Sequence, residues 1–304
     1  MRIRSRKLVV VSVALGLLLA GSLAFSPYVR IRVERRVWLL KLKLQGSLSY
    51  ASWADVLRTM PPGGLMRGGK HSYEFMTNPK QQGPEPCPVL WGTPMGEFWG
   101  RNGDRTLLNQ LTFEQLFDQL YQSKDVQVRP GDVVLDAGSH LGTFSRYALD
   151  RGARLVVAFE PDPVNIECFK RTFRQEIANG RVILVEAALW HEPGVLRFSP
   201  GPLANTGAGM IAEAGEVEVP ATTLDDTVAR LGLDRVDFVK MDIEGSERHA
   251  LQGGSLTLSR FGPRMVISVY HRDDDPEVIP EVVLQARPTY QVQFTVDVKM
   301  AYFH

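Results

Sequence analysis

An acidic residue and two glycines stand together in the stretch VVLDAGSHLGTF, residues 133–144. The apolar run before Asp136 predicts a buried strand, and the residues from about Leu141 predict a helix. Gly138 and Gly142 allow a tight turn and let the backbone approach a ligand, to which the helix start offers its free amides. The pattern is typical of a loop that binds a nucleotide-like cofactor.

A second acidic residue, Glu160, follows the next apolar run in the stretch AFEPDP. It stands 24 positions after Asp136, where an acid can accept hydrogen bonds from ribose hydroxyls. The chain lacks the G-x-G-x-x-G spacing that admits the pyrophosphate of a dinucleotide. A carboxylate at Asp136 would repel a pyrophosphate but suits a sulfonium and an amino group. We therefore predict S-adenosylmethionine (SAM) as the cofactor.

Alternating strands and helices must position these residues. Apolar strand-like runs alternate with helical patterns from residue 132 onwards, which predicts a doubly wound α/β sheet that is parallel and covered on both faces. The strand-like runs are DVVLD (132–136), RLVVAFE (154–160), RVILVEAAL (181–189), VDFVKMD (236–242) and RMVISVY (264–270). The tail YQVQFTVDVKMAYF alternates without a helix and predicts a terminal antiparallel strand pair at the sheet edge.

Several motifs in this region resemble those of the FkbM-type family of SAM-dependent methyltransferases. They are VVLDAGSHLGTFS, VVAFEPDP, TTLDDTV, KMDIEGSE and VISVYHR, and the resemblance covers roughly residues 126 to 275. It implies a class I methyltransferase fold, Rossmann-like, with seven strands of which one is antiparallel, and methyl transfer usually to oxygen. The chain departs from the family loop at Ser139 and His140, which replace alanine and asparagine.

The resemblance also implies the residues that bind the cofactor. Asp136, Gly138 and Gly142 would hold the methionine part of SAM, and Glu160 would hold the ribose. Glu186 and Ala187, after the third strand, would lie near the adenine.

Asp242 ends the fourth strand, and the resemblance places Glu244, Glu247 and His271 on the same rim. A histidine titrates near neutrality, so His271 is the first candidate for the base that takes the acceptor's proton, and Asp242 is the second. A histidine that hydrogen-bonds a loop is the alternative for His271. Asp242, Glu244 and His271 could instead hold a divalent metal. Because acids at a helix start more often cap amides, we predict no metal site.

Domain boundaries are predicted from shifts in composition. Residues 30–125 form a basic stalk and a segment rich in glycine and proline, and residues 126–304 form the methyltransferase domain. Within the first of these, VLWGTPMGEFWGRNGD is expected to be an ordered loop. The stretch LTFEQLFDQLYQS predicts a helix capped by Thr112, and TLDD predicts a helix capped by Asp225 or Asp226.

An apolar run from Leu8 to Phe25 follows the basic start MRIRSRK. It is just long enough to cross a bilayer, for which about 20 residues are needed, and longer than the usual signal-peptide core. We expect residues 1–29 to form an N-terminal transmembrane anchor, with a cleaved signal peptide as the alternative. Basic residues flank the run on both sides and are slightly more numerous after it, which predicts a single-pass membrane protein with a cytoplasmic catalytic domain.

The composition limits the remaining partners. The 304 residues carry a net charge of +1, which gives no case for nucleic-acid binding. The two cysteines, Cys87 and Cys168, are expected to be free thiols in a reducing compartment.

The predicted function is SAM-dependent O-methylation of a sugar, a glycolipid or another small metabolite. The alternatives are a non-catalytic membrane-tethered binding module and an NAD-dependent oxidoreductase.

Overall fold

The computed structural model describes residues 78–115, 119–201, 207–295 and 299–304. The predicted anchor over residues 1–29 lies outside these residues. In the part that is described, no helix is both long enough and apolar enough to cross a bilayer. This finding contradicts the predicted membrane localisation.

The described chain begins with a small antiparallel sheet. Its strands are β1 (Asn78–Gln82), β2 (Val89–Thr93) and β3 (Gly96–Gly100). The sequence predicted an ordered loop here, so that prediction is corrected to a β-hairpin plus one strand. The cause is the pairing of two buried aromatic residues across β2 and β3, Trp91 opposite Phe98.

The elements that follow alternate as predicted. In chain order they are α1 (Arg105–Phe113), β4 (Val133–Ala137), α2 (Thr143–Asp150), β5 (Leu155–Phe159), α3 (Pro163–Thr172), α4 (Arg174–Ala178), β6 (Val182–Val185), β7 (Ala188–Leu189), β8 (Gly194–Ser199), β9 (Met210–Ile211), β10 (Val217–Thr222), α5 (Leu224–Arg230), β11 (Phe238–Met241), α6 (Glu247–Gln252), α7 (Ser255–Phe261), β12 (Arg264–Ser268), α8 (Asp275–Ala286), β13 (Val292–Phe294) and β14 (Met300–Phe303).

Seven of these strands form the central sheet, in the order β13-β14-β12-β11-β4-β5-β6. The five strands from β12 to β6 are parallel, and β14 runs antiparallel to both β12 and β13. All five residues of β4 are buried, as expected for a strand covered on both faces. The predicted α/β class I methyltransferase fold with its terminal antiparallel pair is confirmed in the described residues.

A third sheet has the order β7-β10-β8-β9 and follows the central sheet's edge strand β6 along the chain. The predicted third strand, residues 181–189, is interrupted near Glu186 and contributes β6 to one sheet and β7 to the other. This break turns the chain at the edge of the central sheet.

Two predicted helix starts are wrong. The helix around Thr112 begins earlier, at Arg105, and Thr112 lies buried in its last turn because Leu108 and its neighbours already provide apolar residues at helical spacing. Helix α5 is capped by Thr223, whose Oγ1 accepts a hydrogen bond from the Asp226 amide at 2.9 Å. Asp225 instead caps the neighbouring α7 by accepting from two of its amides.

Cys87 and Cys168 form a disulfide, so the prediction of free thiols is wrong and the reducing compartment inferred from it loses its basis. The packing of β3 along α3 brings together two cysteines that are 81 positions apart in the sequence. The small sheet and the central sheet belong to one compact unit, Gly69–His304. The domain boundaries after residues 29 and 125 stay predictions.

Candidate functional site

The turn after β4 brings Gly138 against the end of β11. Gly138 has φ 78°, and a Cβ atom there would lie 2.0 Å from the backbone oxygen of Asp242. The amides of Gly138 and Ser139 donate to the carbonyl of Phe159 at the end of β5. The loop therefore lies close against three adjacent strand ends, at a position that only glycine can occupy.

Asp136 supports this loop from inside the sheet. Its side chain is completely buried, and its Oδ2 accepts a hydrogen bond from Ser145 at 2.6 Å. Its Oδ1 lies 3.4 Å from Nζ of Lys240, which also donates to the carbonyls of Ala137 and Gly138. Asp136 lines neither of the two cavities described below, so its predicted contact with the methionine part of SAM stays a prediction.

Gly142 also stands outside the cavities. It adopts φ 90° at the start of α2, and a Cβ atom there would lie 2.1 Å from the ring of Phe173. Its structural role is the close packing of α2 on that ring, and its predicted contact with the cofactor stays a prediction.

Glu160 lies at the carboxyl end of β5 and is 5% exposed. Its Oε2 accepts from the amide of His140 at 2.7 Å, and its Oε1 accepts from the amide of Asp162 at 3.0 Å. Burial raises the pKa of the Glu160 carboxyl to about 7, although these backbone hydrogen bonds oppose the shift.

Glu160 borders the smaller of two cavities at this edge of the sheet, which holds about 560 Å³ of space. Its apolar lining comes from Phe159, Ala187, Ala188, Leu189, Phe198 and Ile211. Of the two residues predicted near the adenine, Ala187 lines the cavity. Glu186 does not, because its carboxylate pairs with Lys170 at 2.7 Å and is about half exposed. The adenine contact predicted for Glu186 stays a prediction.

The larger cavity comprises about 1030 Å³ of space, part of it open to solvent, and it also borders the Gly138 loop. Its polar lining includes Tyr121, His140, Lys240 and Tyr270. Gly138, Asp242 and Glu244 border both cavities. We call these three residues the shared wall.

His271 packs behind the shared wall with 9% of its side chain exposed. Its Nδ1 lies 2.9 Å from Glu247 Oε1, and its Nε2 lies 3.5 Å from Asp242 Oδ1 and 3.6 Å from Glu244 Oε2. Burial opposes the charged imidazolium, but the hydrogen bond to Glu247 and the three carboxylates together raise the pKa of His271 to about 9. With these neighbours the ring is protonated at neutral pH and has no lone pair with which to take a proton.

The two carboxyls of the shared wall differ in their ionisation. Burial favours the neutral form of Asp242, but the charges of Lys240 and His271 and the hydrogen bond from Tyr121 outweigh it and lower the pKa. Burial raises the pKa of Glu244 to about 7, since the charge of His271 offsets only part of the effect and Asp242 adds repulsion.

Two residues of this site were not predicted from the sequence. Tyr121 donates from its hydroxyl to Asp242 Oδ2 at 2.6 Å, across 121 positions of sequence. Lys240 lies inside the quoted KMDIEGSE motif and is buried. The signal available in the sequence was a lysine within an apolar run that predicts a buried strand. Its ammonium also lies 5.4 Å from the centre of the Tyr121 ring.

Comparison with known proteins gives a family match over residues 136–288, described as the methyltransferase FkbM domain. The chain is 28% identical over 178 residues to 31-O-demethyl-FK506 methyltransferase FkbM of Streptomyces tacrolimicus, covering 47% of this chain and 68% of that protein. It is 27% identical over 161 residues to the hexuronic acid methyltransferase AglP of Haloferax volcanii, covering 53% and 65%.

A third relative is the 2-O-methyltransferase NoeI of Sinorhizobium fredii, 28% identical over 150 residues, which covers 43% of this chain and 61% of that protein. The matches therefore span between 61% and 68% of the length of these relatives. Among solved structures, the chain is similar to the methyltransferase FkbM from Methylobacillus flagellatus, with a TM-score of 0.47, 20% identity and coverage of 67% of this chain and 56% of that one.

Proposed function

Because the chain belongs to the methyltransferase FkbM domain family, we propose that it transfers the methyl group of SAM to a hydroxyl oxygen of a sugar-like acceptor. The single observation that carries this proposal is the shared wall, since Asp242 and Glu244 border the smaller and the larger cavity at once. A donor in one cavity and an acceptor in the other would meet there.

The residues of the smaller cavity fit a nucleoside. Glu160 offers a buried carboxylate to ribose hydroxyls, and the apolar side chains opposite it suit the faces of a purine. Ser139 lines the larger cavity instead, and its buried Oγ has no hydrogen-bond partner in the described residues, so a polar group of a ligand in that cavity can satisfy it.

SAM, when bound, would supply a methyl group on a sulfonium, so that the acceptor oxygen gains the methyl, the sulfonium becomes a thioether and the hydroxyl proton passes to a base and from there to solvent. The protein must align the acceptor oxygen and provide for that proton. We assign Asp242 as the residue that contacts the acceptor hydroxyl, with its own orientation fixed by Tyr121.

His271, which the sequence predicted as the base, acts in this proposal through the shared wall. Its imidazole lies within 3.6 Å of carboxylate oxygens of both Asp242 and Glu244, and it is a positioning residue for them. The acceptor class is proposed from the relatives, two of which are named for methylating a hexuronic acid and a 2-O position.

The test is a thermal melt of the full-length chain with SAM, with its demethylated product S-adenosylhomocysteine (SAH) or with NAD. A ligand at 100 times its dissociation constant stabilises the fold by about 2.7 kcal/mol. We expect SAM and SAH to raise the melting temperature and NAD to leave it unchanged. The rise should disappear in Glu160→Gln and persist in Glu216→Gln, which removes the same charge from an exposed position.

Transfer to oxygen is then checked with SAM labelled in its methyl group. The acceptor is a hexuronic acid glycoside, and the control is the same glycoside with every hydroxyl blocked. Label in the first and none in the second supports the proposal. A rise in melting temperature with NAD alone would overturn the cofactor, and binding of SAH without label in any hydroxyl acceptor would favour a binding module.

A further inference from the structure

Three donor atoms lie close together at the shared wall, two from its own residues and one from His271. They are Oδ1 of Asp242, Oε2 of Glu244 and Nε2 of His271, all within 4.8 Å of one another. We propose that these three side chains bind one divalent cation.

The distances suit ligands of one ion better than hydrogen bonds. Nε2 lies 3.5 Å from Asp242 Oδ1 and 3.6 Å from Glu244 Oε2, whereas N–H···O hydrogen bonds lie at about 2.7–3.2 Å. Two ligands that each lie about 2.1 Å from a metal are about 3.0–3.5 Å apart for angles of 90–110°. Small movements therefore bring all three atoms into coordination.

Two of the three donor atoms are buried and unsatisfied. The His271 side chain is 91% buried, being 9% exposed, and its Nε2, like its Nδ1, has no partner with full hydrogen-bond geometry among the described residues. The same holds for Oδ1 of Asp242. Because an unsatisfied buried polar atom is costly, both atoms favour a ligand placed between them.

The opposite atom of each of these two side chains has a close neighbour of its own. Nδ1 of His271 lies 2.9 Å from the Oε1 atom of Glu247, whose side chain is 1% exposed, and Tyr121 donates to Oδ2 of Asp242. A metal-binding histidine commonly donates its other ring nitrogen to a carboxylate, which leaves the ligand nitrogen facing the ion. The outer contacts therefore orient Nε2 and Oδ1 towards the same point.

The charge balance also calls for a cation. Three carboxyl groups, those of Asp242, Glu244 and Glu247, surround a single imidazole, and the charge of Lys240 is divided between Asp136 and this group. Buried carboxylates are stable when they are paired or bound to a metal. A cation bound at Nε2 takes the place of the proton there, which passes to solvent.

A second trio, Glu247, His271 and Asp275, also has closely spaced donor atoms. There Asp275 already accepts from the Arg248 guanidinium at 2.6 Å and from the Arg272 amide at 2.8 Å. A guanidinium at that distance repels a metal ion, so the trio on the shared wall is the better site.

This inference rests on the proposed function for its role. Asp242 and Glu244 border the larger cavity, so an acceptor hydroxyl oxygen bound there could complete the coordination of the cation, which would make its proton easier to remove. One nitrogen and two oxygen donors suit Mn²⁺ and Zn²⁺.

The test uses the full-length chain after treatment with a chelator. Mn²⁺ is titrated in and its free concentration is followed by electron paramagnetic resonance, with SAH binding measured calorimetrically in parallel. We expect one Mn²⁺ per chain. The dissociation constant should rise at least tenfold in Glu244→Gln and in His271→Gln, and it should not change in Asp273→Asn, which removes an exposed acid nearby.

Glu244 is 29% exposed, so its replacement tests the site even if the His271 variant does not fold. Equal Mn²⁺ binding by the wild type and by Glu244→Gln would overturn the proposal, and so would no saturable binding. If SAH still binds in those cases, the proposed function survives without the cation. Site-specific Mn²⁺ binding with no SAH binding would support the cation site and count against the proposed function.

Discussion

The ionisation of Glu160 links the smaller cavity to the stability of the fold. Burial raises the pKa of its carboxyl to about 7, against 4.5 for an ordinary glutamate. Between these two pH values the unfolded chain has already lost the proton while the folded protein keeps it. Rising pH therefore favours the unfolded chain across this window, and the contribution of the group levels off above the higher value.

We predict that the wild type loses stability relative to Glu160→Gln as the pH rises from 5 to 8. The expected change in the difference of the unfolding free energies is roughly 3 kcal/mol, from a pKa shift of about 2.5 units. Urea unfolding of both proteins at each pH measures it. A difference that stays constant with pH would show that Glu160 does not titrate in this range.

The individual residues of the site were predictable to different degrees. Gly138, Glu160 and Asp242 each follow an apolar run, and the ends of parallel strands meet at one edge of the sheet, so their proximity follows from the pattern. Tyr121 comes from a segment with no such pattern, and nothing local in the sequence places its hydroxyl on Asp242. Glu186 follows a predicted strand too, but the break after β6 turns it towards Lys170 and solvent.

Among the elements, the turn after β4 tolerates little change in its sequence. Its Gly138 combines a left-handed φ of 78° with a backbone oxygen where a Cβ atom would be. Gly131 shares the conformation, at φ 85°, but has open space around it. Substitutions at these two glycines therefore distinguish the cost of backbone strain, which both share, from the cost of steric overlap, which only Gly138 has.

We predict that Gly131→Ala lowers the unfolding free energy by roughly 1–2 kcal/mol, the cost of the left-handed conformation. Gly138→Ala should lose about 1–3 kcal/mol more from overlap with the Asp242 backbone. Its SAH affinity should also fall at least about tenfold, equal to 1.4 kcal/mol, because the shared wall must shift. Urea unfolding and calorimetry measure both quantities, and equal losses in the two variants would contradict the steric argument.

The prediction of helices and strands succeeded where a continuous apolar run indicated a buried strand. It failed where contacts between distant residues determined the local structure. The short apolar runs of β4, β5, β11 and β12 indicate buried strands. The small sheet at β1–β3 was missed because its glycines and prolines indicate a loop, whereas the pairing of Trp91 with Phe98 makes it a sheet. Thr223 was missed as a cap because Asp225 and Asp226 are equally good caps by residue type.

At the scale of the whole molecule, the disulfide between Cys87 and Cys168 fixes the small sheet to α3. The same helix starts at the smaller cavity, where Asn165 accepts a hydrogen bond from Arg101 at 2.6 Å. The small sheet is thus tied to the site by a covalent bond and by a side-chain contact. Sequence alone could not reveal the pairing, because the two cysteines stand 81 positions apart.

We predict that reduction lowers the unfolding free energy of the full-length chain by roughly 2–4 kcal/mol, because the open chain gains entropy when unfolded. The measurement is urea unfolding with and without dithiothreitol. The matched control replaces both Cys87 and Cys168 by alanine, after which dithiothreitol should have no effect. Identical unfolding of the wild type in both conditions would show that the bridge does not stabilise the fold.

The shared wall has a consequence for inhibitor design. The two cavities meet at Gly138, Asp242 and Glu244, so if the proposed function holds, a nucleoside fragment and a sugar fragment could be joined by a very short linker. Linking turns the second contact into an intramolecular event, with an effective concentration in the millimolar range. In the proposed function the nucleoside half would resemble a cofactor shared with other enzymes, so selectivity for this protein would have to come from the half that fills the larger cavity.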